Sequence, residues 1–379
     1  MRKITASLLI IFSFTWIAFS QSGRRTDAKP APTATPAGWM QDERGQYSES
    51  VPLPRRIRKA QPKSPQASAQ NAKPKPDDDE VVRVETKLIT IPVTVYDRNG
   101  LYVPGLRKEE FRIFEDGIEQ EIAYFGVSDK PVTVALVLDV SPSTEYRIEE
   151  IIRAAKAFVT LLEPDDKVIV IDFDSSVRVR TKPTNDREQI FKAIEKARFG
   201  NGTSLYNAVD EAIRKQLGKI EGRKAVLLFT DGVDTTSRKN SYDSTLDHAE
   251  ESDSIVFPIY YNTFLDNRRR LGSPFPGVFG DIMTPRGTTA EEYALGRRYL
   301  EELAAATGGR VFRPESTPGG LIRAFESIAE ELRRQYNIGY IPKIEGLPGQ
   351  QKQIRVRVNR PNLVIRARDS YVVGAYSGN

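Results

Sequence analysis

The chain has no cysteine and a single histidine, His248. The first absence removes disulfides, thiolate metal sites, iron–sulfur clusters, cysteine nucleophiles and a cysteine-borne lipid anchor. The second removes zinc sites built on paired histidines and leaves one imidazole, in a polar helical stretch, expected at the surface. Missing disulfides do not argue for the cytosol, because a chain of 379 residues can stabilise itself by its core alone. A dominant charge sign is also lacking: 56 basic residues face 51 acidic ones. The small excess is unevenly placed. Residues 21–76 carry 11 basic and 4 acidic residues, whereas residues 77–379 carry 43 and 47, a net of −4. A basic face for nucleic acid is therefore not expected of the folded part.

Long apolar runs are missing after the first 20 residues. Within them, Arg2 and Lys3 precede an uncharged, mostly apolar run from Ala6 to Phe19, and Ala18-Phe19-Ser20 forms a small-x-small cleavage site. The run falls short of the roughly 20 residues of a membrane span and reads as a secretory signal peptide over 1–20. Export to the periplasm or the extracellular space is the expectation; an uncleaved anchor is the alternative. Residues 21–79 are a proline-rich arm, with 9 of the 24 prolines falling in 21–76. Large apolar residues are sparse, so the arm is expected to be disordered. Its cluster Arg55-Arg56-Ile57-Arg58-Lys59 reads as a solvated tether with, at most, weak attraction to an anionic envelope surface.

Residues 80–130 read as short antiparallel strands. Val81 to Tyr96 is rich in Val, Ile and Thr, Asn99-Gly100 is a hairpin turn signal, and strands flank Glu115-Asp116-Gly117. From residue 131 to 335, apolar strands alternate with helical patterns: strands at Val132–Leu138, Lys167–Phe173, Lys224–Thr230 and Ile255–Tyr260, with a short edge strand at Val177–Thr181. Helices are expected over Glu145–Leu162, Arg187–Ala197, Ser204–Leu217, Tyr242–Ser252, Glu291–Thr307 and Gly319–Arg334. The fold class is therefore α/β, a doubly wound and mostly parallel sheet with helices on both faces. Residues 262–290, rich in Gly, Pro and Arg, interrupt the rhythm as a long loop. Residues 336–374 return to β. Ile354, Val356 and Val358 alternate with arginines before the turn at 359–362, and Leu363 and Ile365 follow it. This reads as a hairpin with a solvated stripe of Arg355, Arg357, Arg366 and Arg368. A lone hairpin is marginal, so it is expected to join residues 80–130 in a β-sandwich built from both flanks of the α/β core.

The chemistry gathers where Val134-Ala-Leu-Val-Leu-Asp139 ends and Val-Ser141-Pro-Ser143-Thr144 begins. In open α/β sheets, ligands bind in the crevice at the carboxyl ends of the strands. Two other junctions carry oxygens: Gly200-Asn-Gly-Thr203-Ser before a helix, and Thr230-Asp231-Gly232 after an apolar strand. In a parallel sheet Asp139, Ser141, Ser143, Thr203 and Asp231 converge. Three hydroxyls and two carboxylates suit a hard cation; calcium loops supply more carboxylates, so Mg²⁺ or Mn²⁺ is favoured over Ca²⁺. Carboxylates acting through water leave the ion electrophilic, able to take an acidic side chain from another molecule. Asp234 is a candidate behind the ligands. Ser143 or Thr144 acting as a helix cap, and Asp231-Gly232 as a mere turn, are the plain alternatives.

The whole set resembles the von Willebrand factor type A (VWA) family over roughly residues 130–335. Asp139-Val-Ser141-Pro-Ser143 matches its D-x-S-x-S motif, Thr203 in Gly-Thr-Ser-Leu its threonine, Asp231 in Phe-Thr-Asp-Gly its final aspartate; Asp165-Asp166-Lys-Val is similar too. With the β flanks the chain looks like the bacterial secreted VWA-related proteins. The resemblance implies a metal-ion-dependent adhesion site (MIDAS), with serines and threonine binding the ion directly and aspartates largely through water. It implies a non-enzymatic module whose partner is a protein offering a carboxylate. A structural envelope protein with a vestigial site is one alternative. A metal-dependent hydrolase is another, but phosphoryl transfer of this type needs a second aspartate where Ser141 stands. Serine-hydrolase and dinucleotide motifs are missing from the sequence.

Overall fold

A computed structural model describes residues 40–41, 47–50, 88–127, 130–143, 148–261, 287, 289–314 and 319–374. The expected signal peptide, the basic cluster of the arm and almost all of loop 262–290 lie outside the described residues. Among those described, no helix is long and apolar enough to cross a membrane.

The elements run in chain order: β1 (Met40–Gln41), β2 (Ser48–Glu49), β3 (Ile89–Asp97), β4 (Phe111–Glu115), β5 (Ile118–Gln120), β6 (Ile122–Val127), β7 (Val132–Asp139) and α1 (Ile148–Leu161). Next come β8 (Lys167–Phe173), β9 (Val177–Val179), α2 (Arg187–Glu195), α3 (Leu205–Asp210), β10 (Arg223–Thr230), α4 (Tyr242–Glu251) and β11 (Ile255–Tyr260). Then follow α5 (Ala290–Ala306), α6 (Gly320–Arg333), β12 (Tyr336–Tyr340), β13 (Gln351–Val358), β14 (Leu363–Arg366) and β15 (Ser370–Val372).

The central sheet has the order β11-β10-β7-β8-β9, parallel except for the antiparallel edge strand β9. Side chains of a strand alternate between faces, and β7 is buried along its whole length. Val134, Leu136 and Leu138 enter one apolar layer with Phe158 of α1, Ile190 of α2 and Phe325 of α6. Ala135 and Val137 enter the other with Leu205 of α3, Leu246 of α4 and Leu303 of α5. A strand covered on both faces must be apolar at consecutive positions, which is what the run 132–138 encodes. The helix expected over Ser204–Leu217 is α-helical only to Asp210; a wider π-type turn over Glu211–Gln216 follows. Asp166 fixes the start of β7, its Oδ1 accepting from the Val132 amide at 2.8 Å and its Oδ2 from the Glu163 amide at 2.9 Å.

The flanks form two further sheets, β14-β3-β12-β6 and β1-β2-β13-β4-β5, with β15 also on β13. Ile91, Val93 and Val95 of β3 share one core with Tyr336 and Ile338 of β12, Ile113 of β4 and Val356 of β13. Within it, Glu115 is 3% exposed and accepts from the Tyr340 and Tyr371 hydroxyls at 2.7 and 2.9 Å, with Lys352 Nζ 3.5 Å away.

Three expectations change here. Residues 351–366 are not a hairpin: β13 pairs with β4, β2 and β15, while β14 pairs with β3 in the other sheet. The turn at 359–362 carries the chain across the sandwich, so the two apolar faces meet across a core instead of lying side by side. The arginines are accordingly not one solvated stripe. Arg355 and Arg357 flank Glu49 at 3.0 and 3.3 Å, Arg366 lies near the Tyr96 ring, and Arg368 is 5% exposed and donates to the Ser370 and Glu250 carbonyls. Those two carbonyls accept from two of its N–H groups, and buried polar groups are tolerated when hydrogen-bonded in this way. The arm, expected to be disordered, contributes β2, whose hydrogen bonds to β13 replace the hydrophobic burial it lacks.

His248 is half-buried, not on the open surface. Its Nδ1 lies 3.0 Å from Oδ1 of the buried Asp210, which Arg214 also holds at 2.8 Å. Tertiary packing of α4 against the turn after α3 covers a position that a polar helical sequence marks as outward.

Candidate functional site

Asp139 ends β7 and Asp231 follows β10, and these two strands are hydrogen-bonded neighbours in the sheet. The topology therefore brings the two carboxylates to the same end of adjacent strands. Asp139 is fully buried and Asp231 is 2% exposed. Oδ1 of Asp139 accepts from the Ser141 amide at 2.9 Å, and Oδ2 accepts from the Thr230 hydroxyl at 2.7 Å. Burial first, and the neighbouring Asp231 charge second, push the Asp139 carboxyl up to about 7, against the hydrogen bonds from Ser141 and Thr230. Oδ1 of Asp231 accepts from the Val233 amide at 3.1 Å.

The turn after β7 carries the two serines. Ser141 is buried and its hydroxyl lies 3.0 Å from that of the half-buried Ser143. Thr144 lies outside the described residues, so its capping role is not placed.

Thr203 reaches this end of the sheet on a loop stitched to three strand ends. The Gly200 amide donates to Val140 O at 3.2 Å, beside the β7 end. The Ser175 amide donates to Asn201 O, and the Ser204 amide to Asp174 O at 2.6 Å, beside the β8 end. The Thr203 amide donates to the Thr235 hydroxyl at 2.8 Å, and Thr203 O accepts from the Thr235 and Thr236 amides, beyond the β10 end. Gly200 is required by space: a Cβ there would fall 1.6 Å from Asp174 Oδ2. Gly232 is required by conformation and contact, with φ at +83° and its backbone against Gly296 of α5.

Asp234 accepts from the Tyr206 amide at 3.2 Å and the Ser237 amide at 3.1 Å, tying the loop after Asp231 to the first turn of α3. Burial raises its pKa, against the hydrogen bonds from Ser237 and Tyr206. It acts here as a brace between the Thr203 and Asp231 segments.

Sequence reasoning missed Thr230 as a site residue. Its fully buried hydroxyl donates to Asp139 and accepts from the Gly232 amide at 3.1 Å, so it links the two aspartate loops. The signal was a polar residue closing an otherwise apolar strand, read as punctuation. Among the described residues no cluster of three or more Asp, Glu, His or Cys is placed to hold a metal. Any cation here depends on hydroxyls as well as the two carboxylates. A cavity of about 420 Å³ lies at the other end of the sheet, lined by Val132, Arg223 and Ile255 at the strand starts.

A mostly parallel α/β sheet whose D-x-S-x-S turn, threonine loop and second aspartate stand at neighbouring strand ends is the arrangement expected of a von Willebrand factor type A domain. Residues 134–233 match the model described as von Willebrand factor type A domain. No curated protein sequence matches the chain. Among solved structures, the conserved hypothetical protein BatB from Bacteroides thetaiotaomicron is 21% identical, covering 53% of this chain and 97% of its own, with TM-score 0.40. The vWF domain of the type V pili tip protein Mfa5 from Porphyromonas gingivalis is 14% identical over 53% of this chain and 95% of its own, TM-score 0.40. A von Willebrand factor type A protein from Catenulispora acidiphila is 12% identical over 77% and 74%, TM-score 0.41. Likenesses at these scores say nothing of ligand or partner.

Proposed function

We propose that this chain is an exported protein-binding module that captures an acidic group on a protein partner through a divalent cation of the MIDAS type. Asp139, Ser141, Ser143, Thr203 and Asp231 are the residues that would hold the ion, with Mg²⁺ favoured and Mn²⁺ or Ca²⁺ the other candidates. The observation that carries the reading is the pairing of two buried carboxylates at adjacent strand ends with hydroxyls around them. That donor set is all oxygen, which suits a hard cation. Bound there, the ion supplies a Lewis-acidic position for a partner's carboxylate.

The chain's own residues do the positioning. Thr230 and the Ser141 amide fix both oxygens of Asp139, and the Val233 amide orients Asp231. Asp234 and Thr235 keep the Thr203 loop beside them. A hydrolase reading is less well supported, because position 141 holds a serine bonded to Ser143 and so offers no second acid. Export rests on the leader-like residues 1–20.

The test is capture from an envelope extract by the immobilised chain, with Mg²⁺ and with EDTA, alongside calorimetric titration of Mg²⁺ and Mn²⁺. Partner recovery that EDTA abolishes and that Thr203→Ala also abolishes is expected. Lack of measurable cation binding by the purified wild-type protein would sink the proposal, as would metal-dependent phosphoester turnover lost in Asp139→Ala.

A further inference from the structure

The four residues Tyr47-Ser48-Glu49-Ser50 sit on the edge of β13 with a partner for each. Ser48 Oγ donates to Arg360 O at 2.8 Å and accepts from the Leu363 amide at 2.9 Å. Ser50 returns a pair of bonds to Val356: its amide donates to Val356 O at 2.8 Å, and its hydroxyl accepts from the Val356 amide at 2.9 Å. On the other side of the strand Glu49 lies between Arg355 and Arg357, and the Arg357 guanidinium lies 3.9 Å from the Tyr47 ring centroid. Ser48, Glu49 and Ser50 are all buried.

This is a seat specific in hydrogen bonding, charge and shape for one short extended segment. Without that segment, the Val356 carbonyl and amide on the edge of β13, and the Leu363 amide at the start of β14, would stand as open pairing groups, a template for another chain. The segment is joined to β3 only through residues 51–87, which include six prolines. Those residues reach at most about 130 Å when extended. The tether is thus long enough to deliver the same segment to a neighbouring molecule.

We propose that the β13 edge is a strand-acceptor site and that its partner is residues 47–50 of a second copy of this chain, exchanged for the chain's own. Exchange of an identical element is a low-cost route to dimers, because every contact it makes already exists in the single molecule. The matching is to this particular sequence, two serines for backbone groups and one acid for two arginines, which favours a second copy over an unrelated peptide. In dilute solution the tether holds the local concentration of the chain's own segment high, so the closed single molecule prevails. At high density the second copy competes.

The experiment uses three full-length variants whose charges are complementary. Glu49→Arg spoils the segment and leaves the seat intact. Arg355→Glu/Arg357→Glu spoils the seat and leaves the segment intact. A chain carrying all three substitutions restores the match within one molecule. Hydrogen exchange at the Ser50 amide reports seating, and sedimentation reports mass. Each of the first two variants alone should be monomeric, with Ser50 exchange at least 10-fold faster than in the wild type. The triple variant should be monomeric and protected. The 1:1 mixture of the first two should form a dimer in which protection returns in both chains. A mixture that stays monomeric and unprotected, beside a protected triple variant, would show a seat that works only within one molecule and overturn the proposal. Retained protection in either of the first two variants alone would overturn it as well, since the charges would not select the occupant.

Discussion

Thr230→Val separates the physical logic of the site from its ligand chemistry, because Thr230 is not a candidate ligand. The substitution keeps the shape of the side chain and removes one hydroxyl that makes two bonds, 2.7 Å to Asp139 Oδ2 and 3.1 Å from the Gly232 amide. A hydrogen bond to a charged acceptor contributes about 1.5–3 kcal/mol, and an orphaned buried N–H costs about 1–3 kcal/mol. The losses share one oxygen and are not additive, and the added methyl recovers about 0.8 kcal/mol of apolar burial. A net destabilisation of about 1.5–3 kcal/mol follows. With a urea slope of about 3 kcal/mol per molar, the midpoint should fall by about 0.5–1 M. Freeing Asp139 should also weaken Mg²⁺ or Mn²⁺ binding by about 10–100-fold, the usual cost of losing a group that orients a ligand. Thr230→Ser, which retains the hydroxyl, should keep cation affinity within about 3-fold on the same reasoning. A valine variant matching the serine variant in both urea midpoint and cation affinity would refute the claim that this hydroxyl orients Asp139.

Other substitutions test other links. Thr203→Ala should abolish metal-dependent partner capture while shifting stability by less than about 1 kcal/mol, because the amide and carbonyl that seat the loop remain; capture assays and urea titration report the two separately. Asp139→Ala should lose capture too but also cost about 1–3 kcal/mol, since the Ser141 amide and Thr230 hydroxyl lose their acceptor; urea titration against Thr203→Ala would expose the difference. Gly296→Ala places a Cβ 2.4 Å from Gly232 O, a backbone clash that should cost about 1–3 kcal/mol and weaken cation binding by shifting the Asp231 loop, readable by thermal melting and calorimetry. Glu115→Ala, distant from the site, should destabilise by about 1–3 kcal/mol by leaving two buried tyrosine hydroxyls without their acceptor, while Lys352 keeps Asp116 at 3.2 Å; melting that leaves Mg²⁺ affinity intact in the folded protein would place its role in the sandwich.

The central sheet was readable because its signal is local. Consecutive apolar residues over 132–138 specify a strand covered on both faces, and an aspartate closing the run marks the crevice. The sandwich was readable in its membership but not in its pairing. Alternation at Ile354, Val356 and Val358 shows which side of β13 is buried, yet the same pattern serves a strand pairing sideways or packing across a core. Loop 359–362 looks like a hairpin turn in either case. Only the competition for β3 and β4 decides it, and that competition is between residues more than 200 positions apart. The docked segment 47–50 was invisible for a different reason. It buries hydroxyls and one acid, so a reading based on apolar content assigns it to the solvated arm.

The candidate site divides along the same line. Asp139, Ser141, Ser143, Thr203 and Asp231 could be picked out because they interrupt apolar or turn-forming stretches with oxygen-bearing side chains. Thr230 and Gly200 could not, because their role lies in what they hold rather than in what they offer; Asp234 was legible as a candidate behind the ligands, but its partners at the start of α3 were not. Gly200 exists to let Asp174 approach, Asp234 to brace the start of α3, and Thr230 to join two loops that the sequence separates by about 90 residues. A site of this kind is preorganised by groups that never touch its ligand. Two buried carboxylates at adjacent strand ends repel each other, and in the absence of such braces their loops would separate. The braces therefore maintain the close approach of like charges that the proposed cation site requires.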